Sequence, residues 1–306
     1  RDERNGMDML QPPLRPMLLT TREEPFDSEE YLFEIKWDGY RCISFINGST
    51  LFLQSRNGKS LNRNFPELAE IHKALNCKEA ILDGEICYID KEGKANFGKL
   101  QEQFREKKSP YNNSIKLIAW DILSYDNKDI YHLPLLERKE ILKEMVREER
   151  GILIPGYIIN HGRKLYEEAE KNKLEGIVAK KLDSPYEFKR SKYWYKIKCW
   201  QYTEVYIGGY TAEGTALLVG KYEKGNLHYM GKVKMALDKN MTQALFRFLP
   251  TILTASCPFR TEPAQKGVKW VKPLLRSIVR YTEISRHNTF RHAYAIKIIL
   301  DNSGED

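Results

Sequence analysis

Four short stretches of the sequence place lysines and carboxylates where they could act on phosphate. The run Glu34-Ile35-Lys36-Trp37-Asp38-Gly39-Tyr40-Arg41 sets a lysine at the end of an expected strand, just before a turn. A lysine at a buried strand end needs a partner or a use, so Lys36 is either a salt-bridge partner of Asp38 or a nucleophile. A free lysine is almost wholly protonated at neutral pH, and nucleophilic attack requires that desolvation or nearby cations make it neutral. Trp194-Tyr195-Lys196-Ile197-Lys198 supplies cations, because strand alternation puts Lys196 and Lys198 on one face. They are a solvated pair or a phosphate clamp that would also lower the pKa of a neighbouring lysine. Leu82-Asp83-Gly84-Glu85-Ile86 puts two carboxylates at an expected bend in an apolar run, and Glu175 opens the apolar stretch Gly176–Lys180. Either glutamate alone reads as a turn or cap residue; together they are candidate ligands for a hard cation or acceptors for a ribose hydroxyl. Trp120, in Leu117-Ile118-Ala119-Trp120-Asp121, is a core aromatic or a base-stacking platform.

The elements that must position these residues follow from pattern and punctuation. Regular structure is expected from about Leu32, with short strands at 32–36, 41–46 and 51–56, the last two joined by a turn at Asn47-Gly48. Further strands are expected at 80–89, 115–122, 176–181 and 194–198, and helices at 66–75, 135–149 and 163–172, the second following Pro134. After Lys198 the texture changes to strands and glycine turns, with strands at 204–210, 216–222, 227–233 and 268–271 and a helix at 238–249. The class is α+β followed by a small β-rich domain, with a boundary near 199–204 and no internal repeat. The opening Arg1–Gly6 reads as a frayed end.

Composition narrows the function classes. The 306 residues are 42% hydrophobic and 30% charged, with 13 Pro and 19 Gly, which excludes collagen-like, low-complexity and wholly disordered chains. The length favours two domains, each able to bury a core. No apolar run approaches the roughly 18 residues of a membrane span, and no signal-peptide core is present, so a cytoplasmic protein without membrane contact is expected. Net charge is +8, of which +6 lies in residues 199–306. A basic minor domain points to a polyanion such as nucleic acid, although an ordinary basic surface gives the same count. Cys42, Cys77, Cys87, Cys199 and Cys257 form no CxxC pair and are odd in number, so neither a zinc ribbon nor a disulfide framework is indicated. Cys42 and Cys87 are expected as buried thiols.

Order and spacing make the motifs more specific together than singly. KWDGYR, SRNG (Ser55–Gly58), LDGEI, LIAWD, EGIVAK and WYKIK resemble, in order, the motifs of the covalent nucleotidyltransferases, and most closely those of ATP-dependent DNA ligases. Gly208-Gly209-Tyr210-Thr211, Leu218-Val219-Gly220, Gly231-Lys232-Val233 and Trp270-Val271-Lys272-Pro273 resemble the oligonucleotide-binding (OB-fold) domain of the ligase module in bacterial non-homologous end-joining ligases. The resemblance covers about residues 14–297. It implies an adenylation domain of antiparallel sheets with helices over 1–200 and an OB-fold DNA-binding domain over 201–306. It also implies that Lys36 attacks the α-phosphate of ATP to form lysyl-AMP, that AMP passes to the 5′-phosphate of a nick, and that the 3′-hydroxyl displaces it. By motif matching, Glu34, Ile35, Arg41, Arg56, Glu85, Trp120, Lys196 and Lys198 bind the nucleotide. Glu85 holds ribose, Trp120 stacks on adenine, and Lys196 and Lys198 engage the α-phosphate. Glu175 and Glu85 serve a metal, Mg2+ or alternatively Mn2+. Asp38 supports the later steps, while Arg41, Arg56 and Lys232 contact DNA. The implied substrate is nicked duplex DNA, in repair or end joining. The implied setting is a monomer at the nucleoid of a bacterial cytoplasm, with a Ku-type end-binding protein as a possible partner. One feature departs from the family: the terminal RxDK-like motif is absent, and Arg286, Arg291 and Lys297 are only nearby cations.

Three rivals remain at this level. Gly93–Lys99 has the GxxxxGK spacing of a P-loop, but Leu100 stands where a Ser or Thr should bind magnesium, so this stretch is expected to be a polar loop. An RNA-capping enzyme or RNA ligase would share the lysine chemistry. A noncatalytic nucleic-acid-binding module would use the basic surface and leave Lys36, Glu85, Glu175 and the lysine pair without a task.

Overall fold

The computed structural model describes residues 10–106, 113–285 and 287–299. The chain divides into two compact units, Arg1–Cys199 and Trp200–Asp306. The frayed end expected at Arg1–Gly6, and Arg286, lie outside the described residues.

The strands of the first unit are β1 (Leu18–Thr21), β2 (Tyr31–Ile35), β3 (Tyr40–Asn47), β4 (Thr50–Ser55), β5 (Glu79–Tyr88), β6 (Ile115–Tyr125), β7 (Lys128–Asp129), β8 (Ile152–Leu153), β9 (Ile158–Ile159), β10 (Gly176–Lys181) and β11 (Arg190–Lys198). Its helices are α1 (Phe97–Glu106), α2 (Leu135–Met145) and α3 (Gly162–Lys171). They build two sheets. One has the order β1-β11-β10-β2-β9, and the other has the order β4-β3-β5-β6-β7 with β8 beside β6. Pairing is antiparallel except for β1 with β11 and β6 with β8. A core of Met17, Leu32, Ile43, Ile81, Trp120, Leu123, Leu135, Tyr186 and Trp194 draws from both sheets. A larger core under the second sheet is closed by α2 and the segment 61–75.

Several elements differ from the sequence reading. Strand β1 lies upstream of the expected start at Leu32; its four residues carry no alternation of their own, and they are held by parallel pairing with β11. The helix expected over 66–75 is two single 3-10 turns, Pro66–Leu68 and Ile71–Ala74. Leu68, Ile71 and Ala74 are buried at a spacing of three, which is the repeat of a 3-10 turn. The segment from Phe97, expected as loop, is the helix α1, with Phe97 and Phe104 packed on Tyr40. Helix α2 stops at Met145 and not at Glu149, because Val146 turns extended and bridges Leu75. The carboxylates of Asp83 and Glu85 stand mid-strand in β5, beside bulges and not at a bend.

The second unit has strands β12 (Gln201–Thr211), β13 (Ala216–Glu223), β14 (Asn226–Met235), β15 (Val268–Trp270), β16 (Arg276–Tyr281), β17 (Glu283–Ile284), β18 (Phe290–Arg291) and β19 (Tyr294–Ile299). Its order β13-β14-β19-β16-β12 closes through a β12–β13 pairing, giving a small five-stranded barrel of the OB type. Helix α4 (Lys239–Phe248) packs Leu245 into the barrel core, and the Asp238 carboxylate accepts the Met241 N–H at 2.8 Å as its N-cap. Strands β16 and β19 were not anticipated, although Ser277, Val279 and Tyr281 alternate inward.

Helix α2 turns charge inward as well as Leu135 and Leu142. Arg138, fully buried, donates from Nε and NH2 to the two oxygens of buried Asp121, at 2.8 Å each, and from NH1 to the Ser184 carbonyl at 2.9 Å. Arg138→Met would leave Asp121 as an uncompensated buried charge. It should lower unfolding free energy by about 3–5 kcal/mol, read from urea denaturation; a loss under about 1 kcal/mol would show that water repairs the site.

Candidate active site

A slot of about 70 Å³ lies between the two sheets of the first unit. From the first sheet come Leu19, Glu34, Ile35, Val178, Lys180 and Trp194, with Lys36 and Trp37 just past β2; from the second come Arg41, Glu85 and Trp120. Strand register accounts for this gathering. Val178 on β10 pairs with Glu34 on one side and Lys196 on the other, and Gly176 pairs with Lys198. The Lys36 N–H donates to the Gly176 carbonyl at 2.9 Å, so Lys36, Glu175 and Lys198 meet at one end of the sheet. In the other sheet Arg41 stands opposite Glu85.

Two glycines let the backbones approach. A Cβ on Gly39 would lie 2.1 Å from the Ile86 carbonyl oxygen, so only glycine follows Asp38 where the chain crosses β5. Gly176 has φ +146°, and a Cβ there would sit 2.2 Å from the Ile197 carbonyl oxygen.

The Lys36 ammonium donates to Glu175 Oε2 at 2.5 Å, with both side chains mostly buried. Its partner is therefore Glu175 and not the neighbouring Asp38 that local sequence offers. Glu85 is pushed up to about 8, chiefly by burial; Arg41 and Lys36 oppose this, and the carboxylates of Glu175 and Asp38 add to it. Lys196 is lowered by burial first, then by repulsion from Lys36, Arg190 and Arg56. Burial also lowers Lys198, against the pull of Glu175. These lysines are thus half-buried beside other cations, which is the setting of an anion site.

The inner wall of the slot is built around two buried carboxylates. Asp83, fully buried, accepts from Arg41 Nε and NH2 at 2.7 and 2.6 Å, from the Tyr186 hydroxyl at 2.8 Å and from Trp120 Nε1 at 3.2 Å. Glu34 is paired with Lys139, and with Lys180 at 2.7 Å. Burial alone would raise its carboxyl, but the two ammonium groups outweigh that and hold it below the usual range. Lys180 is pulled down to about 8 by burial, aided by Lys139 and opposed by Glu34. Its ammonium lies 4.5 Å over the Trp194 ring and 5.0 Å over the Trp120 ring, while the Arg41 guanidinium lies 4.8 Å over Trp120.

Comparison with known proteins gives the family. Residues 16–198 match the family described as the ATP dependent DNA ligase domain, and residues 211–301 match the ATP dependent DNA ligase C terminal region. The chain belongs to the ATP-dependent DNA ligase family. It is 30% identical over 280 residues to the multifunctional non-homologous end joining protein LigD of Mycolicibacterium smegmatis, covering 88% of this chain and 36% of that protein. It is 34% identical over 205 residues to the SPbeta prophage-derived DNA ligase-like protein LigB of Bacillus subtilis, covering 67% of this chain and 74% of that protein. A solved structure of mycobacterial DNA ligase D complexed with ATP and MES superposes with a TM-score of 0.58 at 28% identity, covering 94% of this chain and 96% of that one. The chain spans about a third of the LigD proteins it matches. Family membership carries ATP use and a divalent cation as the shared chemistry.

The expected site residues fall into two groups. Lys36, Glu34, Ile35, Arg41, Glu85 and Trp120 line the slot. Glu175, Lys196, Lys198, Asp38 and Arg56 act on it through the contact or the charges described above. Lys232 is exposed on β14 of the second unit. Among the described residues, no three Asp, Glu, His or Cys side chains are placed to hold a metal by themselves. Glu85 and Glu175 are hard oxygen donors of the kind that hold Mg2+ through one or two carboxylates while phosphates and water complete the shell, so the pair fits a cation arriving with its nucleotide. The P-loop alternative fails on geometry. The Gly93, Lys94 and Asn96 N–H groups donate in turn to the Asp90 carbonyl, the Asp90 carboxylate and the Tyr88 carbonyl, and Leu100, at the position of the magnesium-binding hydroxyl, is buried. Asp83, Tyr186, Lys139 and Lys180 received no role from sequence; a charge inside an apolar run was the one signal available for Asp83 and Lys180.

Glu85 sits at about 8 in the folded chain against 4.5 for an ordinary glutamate. Between those values the folded state holds the extra proton, so this contribution to stability is complete below about 4.5 and lost as pH rises through 8. The Tm of the metal-free protein should therefore fall between pH 5 and 8.5 more steeply in the wild type than in Glu85→Gln. Parallel curves would assign the slope to other groups.

Proposed function

We propose that this chain seals 5′-phosphate/3′-hydroxyl nicks in duplex DNA as an ATP-dependent ligase, in repair or end joining. The observation that carries this reading is Lys36 at the mouth of the slot, bonded to Glu175 and accompanied by Lys196, Lys198 and Glu85. In the first step the Lys36 amine forms an N–P bond to the α-phosphorus of ATP, and the bond to the β-phosphate oxygen breaks as pyrophosphate leaves. Glu175 Oε2, already bonded to that ammonium, is the acceptor in place for its proton. Next, an oxygen of the DNA 5′-phosphate displaces Lys36 from the α-phosphorus. Finally the 3′-hydroxyl attacks the 5′-phosphate and AMP leaves.

The other side chains divide the charge. Lys196 and Lys198 meet the α-phosphate, while Arg41, through the edge not committed to Asp83, and Arg56 meet the reacting phosphates of nucleotide and DNA. Glu85 holds the ribose hydroxyls, Glu34 and Ile35 border the base, and Trp120 forms its platform. Glu85 and Glu175 would hold Mg2+, with Mn2+ able to replace it; the cation supplies positive charge at the reacting phosphates. Asp38 serves the later steps. Residues 1–200 act as the adenylation domain and 201–306 as the DNA-binding domain, with Lys232 on DNA phosphates. A monomer in a bacterial cytoplasm, at the nucleoid and with a Ku-type partner at broken ends, completes the proposal.

Intact mass after incubation with ATP and magnesium tests the first step. The wild type should gain one AMP, which pyrophosphate removes; Lys36→Ala should gain none, and Lys99→Ala should behave as wild type. An adenylated Lys36→Ala protein would remove Lys36 as the nucleophile. Affinity for nicked duplex should fall steeply with salt, because phosphate contacts release counterions. A flat salt profile would remove the basic second unit as a DNA clamp.

A further inference from the structure

Among the polar ties between the two sheets that wall the slot, the Tyr186 hydroxyl reaches a buried carboxylate in one sheet and a backbone amide beside the other. Tyr186 lies just before β11, the strand that carries Lys196 and Lys198, and its side chain is buried. Its hydroxyl donates to Asp83 Oδ2 in the opposite sheet at 2.8 Å and accepts the Met17 N–H, just ahead of β1, at 2.9 Å. Arg41 NH2 closes the circuit by donating to the Met17 carbonyl at 3.0 Å. The ring packs edge-on against Trp194 and Phe188, which fixes where the hydroxyl points. Every donor on Asp83 thus belongs to a residue that lines the slot or to Tyr186.

We propose that Tyr186 is a positioning residue for nucleotide binding: through Asp83 it holds Arg41 and Trp120 against the strand that carries Lys196 and Lys198. This rests on the ligase reading for the meaning of the slot. A carboxylate with four hydrogen bonds from three side chains has one orientation; with the hydroxyl removed, Oδ2 keeps Arg41 and Trp120, while the buried Met17 N–H loses its acceptor. The Arg41 fork and the Trp120 indole then lose a shared reference to the opposite sheet. The expected consequence is weaker ground-state binding of nucleotide, with the fold retained.

The test is Tyr186→Phe, with affinity for a nonhydrolysable ATP analogue measured by calorimetry beside the KM and kcat of lysine adenylation. A rise of about tenfold in Kd and in KM, with kcat changed less than threefold, is expected for loss of one buried hydrogen bond at a binding site. Affinity for the analogue unchanged from wild type would overturn the proposal, as would a fall in kcat equal to the rise in KM. Asp83→Asn supplies the cycle: the double variant should bind the analogue no worse than Asp83→Asn alone, and additive losses would show that Tyr186 acts by another route. A wild type that binds the analogue without forming lysyl-AMP would sink the ligase reading while leaving the Tyr186 test intact. A wild type that does not bind the analogue would sink both.

Discussion

The buried carboxylate of Asp83 is the constraint from which the first unit can be understood. An ionised group removed from water is penalised by several kcal/mol unless its partners are close and well oriented. Here they are the Arg41 fork, the Tyr186 hydroxyl and the Trp120 indole N–H. Satisfying one carboxylate therefore fixes three side chains from three different stretches of chain. Two of those side chains border the slot. The same arrangement recurs beside it: Asp121, the register partner of Asp83 on β6, accepts the Arg138 fork, and Glu34 in the facing sheet sits between Lys139 and Lys180. The gap between the sheets is thus held by apolar packing and by three buried charge clusters, each of which would be costly to pull apart.

At the mouth of the slot the electrostatics change character. Lys36, Lys196, Lys198, Arg56 and Arg190 are close enough to influence one another, and the carboxylates among them are Glu175, Asp38 and a Glu85 raised to about 8. A site of this kind is least favourable when empty and most favourable around a polyphosphate, which offsets the mutual repulsion of the cations. A divalent cation beside Glu85 would favour its ionised carboxylate. The interior of the wall is satisfied by the protein alone, whereas the cations at the mouth would be balanced by a bound polyphosphate. That contrast separates the residues that hold the slot from those that would react in it.

The match to the ATP-dependent DNA ligase family extends through both units, and the barrel of the second unit has the closure expected of an OB-fold. The matched LigD proteins are roughly three times the length of the aligned region. The absent RxDK-like motif concerns the second unit. Among its named basic substitutes, Arg291 is paired with Glu283 and Lys297 stands on β19 opposite Ile278.

Sequence by itself singled out the candidate site residues and most of the strands around them. Lys36, Glu85, Glu175, Lys196 and Lys198 sit in short motifs whose spacing is a local property, and β3, β4, β6, β10 and β14 announce themselves by apolar runs or alternation with glycine turns between them. The class of fold followed from the same local signals. Sequence could not show that Lys36 bonds to Glu175 and not to Asp38, because that partner is 139 positions away and is delivered by β2–β10 pairing. It missed β1, which exists only as the neighbour of β11, and α1 and the 3-10 turns, whose apolar residues are few and are decided by the core they meet. It also gave Asp83, Tyr186, Lys139 and Lys180 no task. A charged or hydroxyl group inside an apolar run has no local reason to be there. Its partners lie on other strands, and only the tertiary structure brings them within hydrogen-bonding distance.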